Sequence, residues 1–331
     1  MSQPVARILG TGRGVPDRVV TNDDLSKTVE TNDTWIRERT GIRQRRLVVP
    51  GQASSDLAAE AARRALAQAD LTPDDVDAII CATVTPDMPL PSCAVLVQRK
   101  IGVTRNIPAF DITAACGGFL YGLAVAEGLM RGGQIRRVLV IGVEVLSRCV
   151  DWTDRNTCIL FGDGAGAVLL GPTEPGSTRG VLSTHLFADG SQAESLCIPA
   201  GGSLRGTSAE TLAAGEHYVR MNGRAIFNHA VRNLSSASQE ALNHNGVKPS
   251  DVDLVVPHQA NLRILEAVAQ RLSMPMDKFY VNIDRYGNTS SASIPIALDE
   301  AVAEGRVRAG SLLLMCALGG GLAWGSALVR F

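Results

Sequence analysis

Three side chains that could perform nucleophilic chemistry stand where apolar segments give way to loops: Cys116 in DITAACGGF, His258 in VVPHQANLR and Asn288 in DRYGNTSSAS. A cysteine thiolate is a strong nucleophile, and its attack needs partners that take up a proton or stabilise developing negative charge. Imidazole and carboxamide groups can serve in that way. The three residues are therefore candidates for one catalytic site, provided that the fold brings them together.

Small residues flank Cys116 on both sides, with Ala114 and Ala115 before it and Gly117 and Gly118 after it. This segment predicts a sharp turn from a strand into an apolar helix, which would place the thiol at a helix N-terminus. Unpaired helix N–H groups stabilise a thiolate there, so we expect a lowered thiol pKa. The alternative is a buried structural cysteine at a tight turn.

His258 follows the apolar segment DLVV and Pro257, so it is expected to project from the carboxyl end of a strand. The alternatives are a hydrogen-bonded histidine at a strand end and, for Asn288, an ordinary turn residue. The remaining histidines have no companion motif and are expected to be ordinary: His185, His217, His229 and His244.

The chain contains two pairs of similar blocks in the same order. LTPDDVDAIICATVTP (71–86) matches VKPSDVDLVVPHQANL (247–262), and residues 107–144 parallel residues 279–319, each block with a strand, a loop, a helix poor in charge and a second strand. Repetition in the same order predicts a duplicated α/β fold.

The predicted boundary between the repeats lies in GPTEPGSTRG, a segment without apolar periodicity, and gives halves 1–172 and 178–331. The helix after Cys116 is apolar on nearly all sides, which is typical of a helix buried between two sheets. Symmetry would place Asn288, the near equivalent of Cys116 in the second half, beside the thiol together with His258.

The composition is that of a globular protein: 331 residues, 45% hydrophobic and 20% charged, with a net charge of -1. Near-neutral charge favours neither a nucleic acid nor an anionic membrane as partner. The start of the chain shows no export signal and no apolar run is long enough for a membrane span, so a cytoplasmic location is expected. The seven cysteines form no C-x-x-C pair, and neither a metal site nor a disulfide framework is predicted.

Several strings resemble, in order and spacing, the β-ketoacyl-acyl-carrier-protein synthase III family of the thiolase superfamily. They are TNDTWIRERTGIRQRR, DITAACGGFLYGL, FGDGAGAVLL, VPHQANLRI, YGNTSSASIPIAL and ALGGGLAWGSALVRF, and together they extend over essentially the whole chain. The resemblance implies a duplicated, five-layer αβαβα thiolase-like fold and a homodimer. It also implies a decarboxylating Claisen condensation of an acyl-CoA with malonyl-acyl-carrier protein, which initiates fatty-acid synthesis without a metal or redox cofactor, the CoA thioester being a substrate.

The resemblance assigns roles to the three polar residues. Cys116 would accept the acyl group, the backbone N–H groups of Cys116 and Gly320 would form an oxyanion hole, and His258 and Asn288 would donate hydrogen bonds to the enolate oxygen formed by decarboxylation.

It also implies contacts to the substrates. Trp35 and Arg155 would enclose the adenine of CoA, Arg39 would bind phosphate and Asn261 would line the pantetheine tunnel. Arg263 would contact the acyl carrier protein at the entrance of that tunnel.

Three positions depart from the family pattern. Leu90 in MPLPSCA and Leu318 before the glycine run stand where the family often has phenylalanine, and Tyr286 stands where histidine commonly precedes Gly-Asn. Leu90 is expected to reach the acyl pocket of the partner subunit. Smaller pocket walls lead to the hypothesis of a broadened range of acyl-CoA primers, longer or more branched than acetyl.

Three other functions remain open at this point. A related condensing enzyme of a specialised acyl or polyketide pathway would use the same three residues. A cysteine hydrolase could also use Cys, His and Asn, but it must admit water to the acyl intermediate. The third alternative, a non-catalytic binding module, does not explain why all three polar residues are present.

Overall fold

The computed structural model describes residues 4–331, and within this range no helix is both long and apolar enough to cross a membrane. The strands are β1 (Ala6–Gly14), β2 (Val19–Thr21), β3 (Gln44–Arg46), β4 (Ala78–Ala82), β5 (Ala109–Ile112), β6 (Val138–Val145), β7 (Asp163–Pro172), β8 (Gly180–Ala188), β9 (Leu196–Cys197), β10 (Arg220–Met221), β11 (Leu254–Pro257), β12 (Leu312–Gly319) and β13 (Ala323–Arg330). The α-helices are α1 (Asn22–Leu25), α2 (Asp33–Thr40), α3 (Ser54–Gln68), α4 (Cys93–Ile101), α5 (Gly118–Arg131), α6 (Arg155–Cys158), α7 (Ala209–Ala213), α8 (Gly223–His244), α9 (Leu262–Arg271), α10 (Ile283–Tyr286) and α11 (Ser293–Ala303). Short 3-10 helices lie at Pro73–Asp75, Ala115–Gly117, Leu146–Arg148, Gly190–Ser195, Pro249–Asp251, Met276–Lys278 and Ser290–Ala292.

Two sheets repeat one topology. The first has the strand order β1-β7-β6-β4-β5 and the second, written from its other edge, β8-β13-β12-β11. In the first sheet β4 and β6 are parallel while β6–β7 and β7–β1 are antiparallel, and the second sheet repeats this with β11–β12, β12–β13 and β13–β8. This shared pattern confirms the predicted duplicated α/β fold.

The fifth strand expected in the second half is reduced to a single parallel bridge between Val255 and Phe279. The reason lies in the side chain of Gln259, whose Nε2 donates to the carbonyl of Tyr280 at 2.9 Å and whose Oε1 accepts from the backbone N–H of Asn282 at 3.0 Å. Because the Gln259 side chain forms hydrogen bonds with these backbone groups, they are not available to pair with β11, and a longer strand does not form there.

Helices cover the two sheets in five layers. Within β4, Ala78 and Ile80 belong to the core between the sheets, whereas Ile79 and Cys81 belong to the core against α3 and α4. This alternation follows from the two-residue period of a strand, and it explains why the central strands are apolar on both faces. Helices α5 and α11 fill the middle layer, and α8 and α9 cover the outer face of the second sheet.

The connection between the two sheets contains the predicted boundary. Strand β7 of the first sheet ends at Pro172 and β8 of the second begins at Gly180, so residues 173–179 join the sheets without belonging to either. The division of the chain into halves 1–172 and 178–331 stays a prediction.

Strand β1 lies directly on the backbone of α3. A Cβ atom added at Gly10, Gly12 or Gly14 would overlap the carbonyl oxygens of Ala65, Ala61 and Leu57 respectively. These carbonyls are four residues apart along the helix while the glycines are two apart along the strand. The GTGRG string near the start is therefore a packing surface that lets a helix approach a strand closely.

Replacing Gly12 with alanine is expected to destabilise the protein by about 1–3 kcal/mol, because the added methyl group must push α3 away from β1. A urea titration followed by circular dichroism would detect this as a lower unfolding midpoint.

The matched control is Gly128→Ala within α5, where an added Cβ meets nothing within 4 Å. This substitution is expected to leave stability unchanged or to raise it by up to about 1 kcal/mol, since alanine favours helix more than glycine does. Equal urea midpoints for the two variants would contradict the packing argument.

Candidate active site

Cys116 lies in the 3-10 turn Ala115–Gly117, which leads directly into α5. Ala115 has a positive φ of 44°, and a Cβ added at Gly118 would come within 2.9 Å of the Ala82 side chain. The small residues around the cysteine therefore permit a strained turn that packs closely on the end of β4. The thiol residue itself is buried, with 7% of its surface exposed.

The protonation state of Cys116 differs from the sequence-based expectation. Burial raises the pKa of the thiol to about 12, although a hydrogen bond from the Ser290 side chain lowers it, and the nearby charge of Glu144 raises it further. The expected thiolate was therefore the wrong resting form, because loss of solvation outweighs the stabilising groups at the turn. The resting thiol is protonated at neutral pH.

His258 follows β11, as predicted, and its backbone N–H donates to the carbonyl of Cys316 in β12 at 2.8 Å. The side chain is 2% exposed, and its Nδ1 has no hydrogen-bond partner within residues 4–331. Burial lowers the pKa of the imidazole to about 4. His258 is therefore a neutral ring that can donate one hydrogen bond.

The Asn288 side chain has a fixed orientation. Its Oδ1 accepts a hydrogen bond from the backbone N–H of Ser290 at 2.8 Å, which leaves the Nδ2 hydrogens available to another acceptor. The backbone of Asn288 also pairs with the first half, donating to Leu160 at 2.8 Å and accepting from Gly162 at 3.0 Å. The first half of the chain thus fixes the backbone of Asn288, and the second half fixes its carboxamide.

The structural counterpart of Cys116 is Ser291, and Asn288 stands three residues before it. Cys116 and Ser291 each occupy the middle of a 3-10 turn that leads into a central helix. Each turn begins with a residue of positive φ, 44° at Ala115 and 50° at Ser290. Sequence comparison missed this offset because the two repeats differ in loop length. The close packing of the two turns was the feature that symmetry predicted.

An apolar cavity of about 230 Å³ adjoins the thiol. Two thiols, one hydroxyl and one glycine line it, at Cys116, Cys197, Ser290 and Gly320. The remaining lining residues are apolar: Val84, Ala115, Leu146, Phe161, Leu196, Ile198 and Val219. The structure thus brings Cys116 and Gly320 to one cavity. His258 and Asn288 are not among the lining residues, but Asn288 pairs with the backbone of the lining residue Phe161.

The predicted CoA residues gather around Trp35 on α2. The guanidinium carbons of Arg39 and Arg155 lie 4.3 Å and 4.9 Å from the centroid of its indole ring. These distances are typical of cation–π contacts, and they leave no gap between Trp35 and Arg155 for an adenine ring. Enclosure of adenine by these two side chains therefore requires Arg155 to move outward.

Asn261 and Arg263 stand at the start of α9. The Asn261 Oδ1 accepts from the backbone N–H of Arg263 at 2.9 Å as an N-cap, and its Nδ2 donates to the carbonyl of Arg39 at 2.9 Å. Asn261 thus joins α9 to α2, and its tunnel role stays a prediction. The Arg263 side chain is exposed.

The two leucines that depart from the family pattern lie in different surroundings. Leu90 is 85% exposed, whereas Leu318 is 5% exposed and packs in the core formed by α8, α9 and the second sheet. Leu318 is not among the residues that line the cavity. A smaller side chain at this position therefore changes the core rather than the cavity wall.

Sequence reasoning missed three buried polar residues near the site: Gln259, Ser290 and Glu144. Gln259 fixes the segment after Phe279, and its own backbone N–H donates to the Ser293 hydroxyl at 2.6 Å. The available signal was a polar residue inside an otherwise apolar stretch, as in VIGVEVL and VVPHQAN. A buried polar residue of this kind must find partners within the protein.

Comparison with known proteins places this geometry in a family. The model of the 3-oxoacyl-[acyl-carrier-protein (ACP)] synthase III family matches residues 110–190, and the model of its C-terminal part matches residues 242–331. The chain is 52% identical over 324 residues to beta-ketoacyl-[acyl-carrier-protein] synthase III of Symbiobacterium thermophilum, covering 98% of this chain and 97% of that protein.

Solved structures agree. The crystal structure of 3-oxoacyl-[acyl-carrier-protein] synthase III from Aquifex aeolicus VF5 is 46% identical, with a TM-score of 0.90 and coverage of 98% of this chain and 100% of that chain. The priming beta-ketosynthase from the R1128 polyketide biosynthetic pathway is 32% identical, with a TM-score of 0.91 and coverage of 100% and 97%.

The duplicated five-layer fold and these matches define an acyl-transferring condensing enzyme of the thiolase fold. Within this class, the chain belongs to the 3-oxoacyl-[acyl-carrier-protein] synthase III family. The resemblance inferred from the motifs is confirmed, and the condensing enzyme is favoured over the cysteine hydrolase and the non-catalytic module.

The depressed pKa of His258 predicts a specific loss of stability in acid. Because the ring titrates near pH 4 when folded and near its ordinary value of 6.5 when unfolded, the unfolded chain binds more protons between these limits. The contribution of His258 to the unfolding free energy is therefore expected to fall as pH drops from about 6.5 towards 4, by up to about 3 kcal/mol.

Urea unfolding of the wild type and of His258→Gln at a series of pH values would check this. The variant is expected to lose less stability on acidification, since glutamine does not titrate. Parallel pH profiles for the two proteins would show that titration of the buried His258 ring does not cause the loss of stability in acid.

Proposed function

We propose that Cys116 is the nucleophile of a condensation that initiates fatty-acid synthesis, taking an acyl group from acyl-CoA. The observation that carries this proposal is the common cavity of Cys116 and Gly320, where β12 ends against the Cys116 backbone. The sulfur would attack the thioester carbonyl and release CoA. The backbone N–H groups of Cys116 and Gly320 would stabilise the resulting oxyanion.

In the second half-reaction, malonyl-acyl-carrier protein would lose carbon dioxide and form an enolate. A neutral His258 and the free Nδ2 of Asn288 suit the stabilisation of its oxygen, because both donate hydrogen bonds. The enolate carbon would then attack the acyl-Cys116 thioester. The reaction as proposed needs no metal or redox cofactor, since the thioester is already activated and decarboxylation supplies the carbanion.

The substrates would enter along α2 and α9. Trp35 and Arg155 offer an aromatic face and a planar cation for adenine, and Arg39 offers a charge for phosphate. The exposed Arg263 would contact the acidic acyl carrier protein, whose phosphopantetheine must follow the same route as CoA. Asn261, which joins α2 and α9, would border this route.

We also propose a homodimer in which a second copy of the chain covers the loop around Leu90. Leu90 is 85% exposed and Met88 is 44% exposed, and strand β5 stands at the edge of the first sheet. An apolar loop beside an open strand edge is a surface that favours association. Leu90 would then reach the acyl cavity of the partner subunit.

The primer range follows from the cavity wall. Its side chains are mainly aliphatic and aromatic, and a leucine at position 90 is smaller than the phenylalanine common in the family. We therefore expect acyl-CoAs longer or more branched than acetyl-CoA to be accepted. The likeness to a priming polyketide enzyme is the observation that favours a specialised pathway as second candidate.

The test is the initial condensation rate of the purified protein with malonyl-carrier protein and acyl-CoAs from C2 to C10. Activity is expected to extend beyond acetyl-CoA, and Cys116→Ser is expected to be inactive. In the Cys197→Ser variant, which alters the other cavity thiol, mass spectrometry should still find the acyl adduct on Cys116.

A strong preference for acetyl-CoA over C4 to C8 primers would contradict the broadened range and leave ordinary initiation. A peak at longer chains, or activity only with another extender, would move the protein into a specialised acyl pathway. Condensation that survives in Cys116→Ser would overturn the proposed nucleophile.

A further inference from the structure

Glu144, near the end of β6, has a fully buried carboxyl group, with 0% of its surface exposed, and it lies behind Ser290, which lines the thiol cavity. Its two oxygens accept hydrogen bonds from both halves of the chain. The donors are Thr85 Oγ1 at 2.6 Å, the Val84 backbone N–H at 3.1 Å, Ser291 Oγ at 3.1 Å, Ser290 Oγ at 3.2 Å and Thr83 Oγ1 at 3.4 Å.

These donors are all uncharged, and none of the ion pairs formed within residues 4–331 includes Glu144. Burial raises the pKa of its carboxyl group to about 7, although the surrounding hydrogen bonds lower it. The titratable groups that face it are the thiols of Cys116, on the turn before α5, and Cys149, after β6. Glu144 can therefore both accept and return a proton near neutral pH.

Ser290 connects this carboxylate to the reacting thiol. Its hydroxyl donates to Glu144 Oε1 at 3.2 Å, and the same side chain lines the cavity with Cys116 and lowers the pKa of that thiol. The neighbouring Ser291 differs, because its hydroxyl lies closest to the carbonyl of Ala82, at 2.7 Å, and it does not line the cavity.

A thiol with a pKa of about 12 needs a proton acceptor before it can attack at neutral pH. His258 is a poor acceptor, since burial lowers the pKa of its ring to about 4. The Ser290 hydroxyl lines the cavity, and the Glu144 carboxylate that accepts its hydrogen bond is a titratable proton acceptor.

We propose that Ser290 and Glu144 form a proton relay that activates Cys116 for acyl transfer from acyl-CoA. The proposal rests on the role of Cys116 as nucleophile. Ser290 shares the cavity with the thiol, and Glu144 acts on the thiol through Ser290.

The relay balances over one acyl transfer. The Cys116 S–H proton passes to Ser290 Oγ while the Ser290 hydroxyl proton passes to Glu144 Oε1. The thiolate attacks the thioester carbon, the bond from that carbon to the CoA sulfur breaks, and the departing CoA thiolate receives the proton back from Glu144 through Ser290. The products are acyl-Cys116 and CoA with a free thiol, and the relay returns to its starting state.

The test is the pH dependence of Cys116 acylation alone, measured by rapid mixing of the full-length protein with acetyl-CoA, acid quench and intact mass spectrometry. The wild-type rate is expected to rise through about pH 7, as Glu144 becomes a carboxylate. Ser290→Ala and Glu144→Gln are each expected to slow acylation by about 100-fold and to lose this inflection, since a positioned proton acceptor contributes that much.

The matched control is Ser291→Ala, which removes a hydroxyl from the same carboxylate but not from the cavity. Its rate is expected to stay within about 10-fold of the wild type, with the inflection retained. Circular dichroism of each variant verifies folding, and if Glu144→Gln does not fold, the Ser290 and Ser291 pair decides the question.

The outcomes separate the two proposals. Equal effects of Ser290→Ala and Ser291→Ala, or an unchanged inflection in Ser290→Ala, would overturn the relay while leaving Cys116 as the nucleophile. Absence of an acyl adduct on Cys116 in the wild type would overturn the nucleophile and the relay together.

Discussion

The close contact between the two central turns, Ala115–Gly117 and Ser290–Ala292, determines the geometry of the site. The Ser291 hydroxyl donates to the carbonyl of Ala82 at 2.7 Å, and a Cβ at Gly142 would overlap the carbonyl of Ser291. The second turn thus lies directly on the ends of β4 and β6, strands of the other sheet. Without the close packing of the Ser291 backbone on Gly142, Ser290 would not reach the cavity that Cys116 lines.

Burial also determines the electrostatics, because it removes water from the Cys116 thiol, the Glu144 carboxyl group and the His258 ring. Burial raises the pKa of Cys116 to about 12 and that of Glu144 to about 7, and it lowers the pKa of His258 to about 4. Each shift favours the neutral form, as expected for groups in a medium of low polarity. At neutral pH the thiol and the imidazole are therefore neutral in the resting site, whereas the Glu144 carboxyl group is about half ionised.

Much of the fold could be predicted from the sequence, because the repeated blocks and the alternating burial of the central strands are local patterns. The Pro-x-Asp-Val-Asp motif recurs as the 3-10 turns Pro73–Asp75 and Pro249–Asp251, each followed by a buried strand. The thiol pKa and the buried Glu144 network could not be predicted in this way. Both depend on desolvation and on donors from residues 83–85 and 290–291, which are distant in sequence.

The duplication is nearly symmetric in backbone and asymmetric in chemistry. The first turn carries Cys116, and the second carries the hydroxyls of Ser290 and Ser291 in the corresponding backbone. On the second side, Glu300 in α11 accepts from Tyr286 Oη at 2.6 Å and Asn282 Nδ2 at 2.8 Å, which anchors the loop that leads to Asn288. The first repeat therefore presents the thiol, whereas the second supplies hydroxyl and amide groups whose positions must be fixed. The buried carboxylates fix them by accepting hydrogen bonds, Glu144 at the second turn and Glu300 at the loop before it.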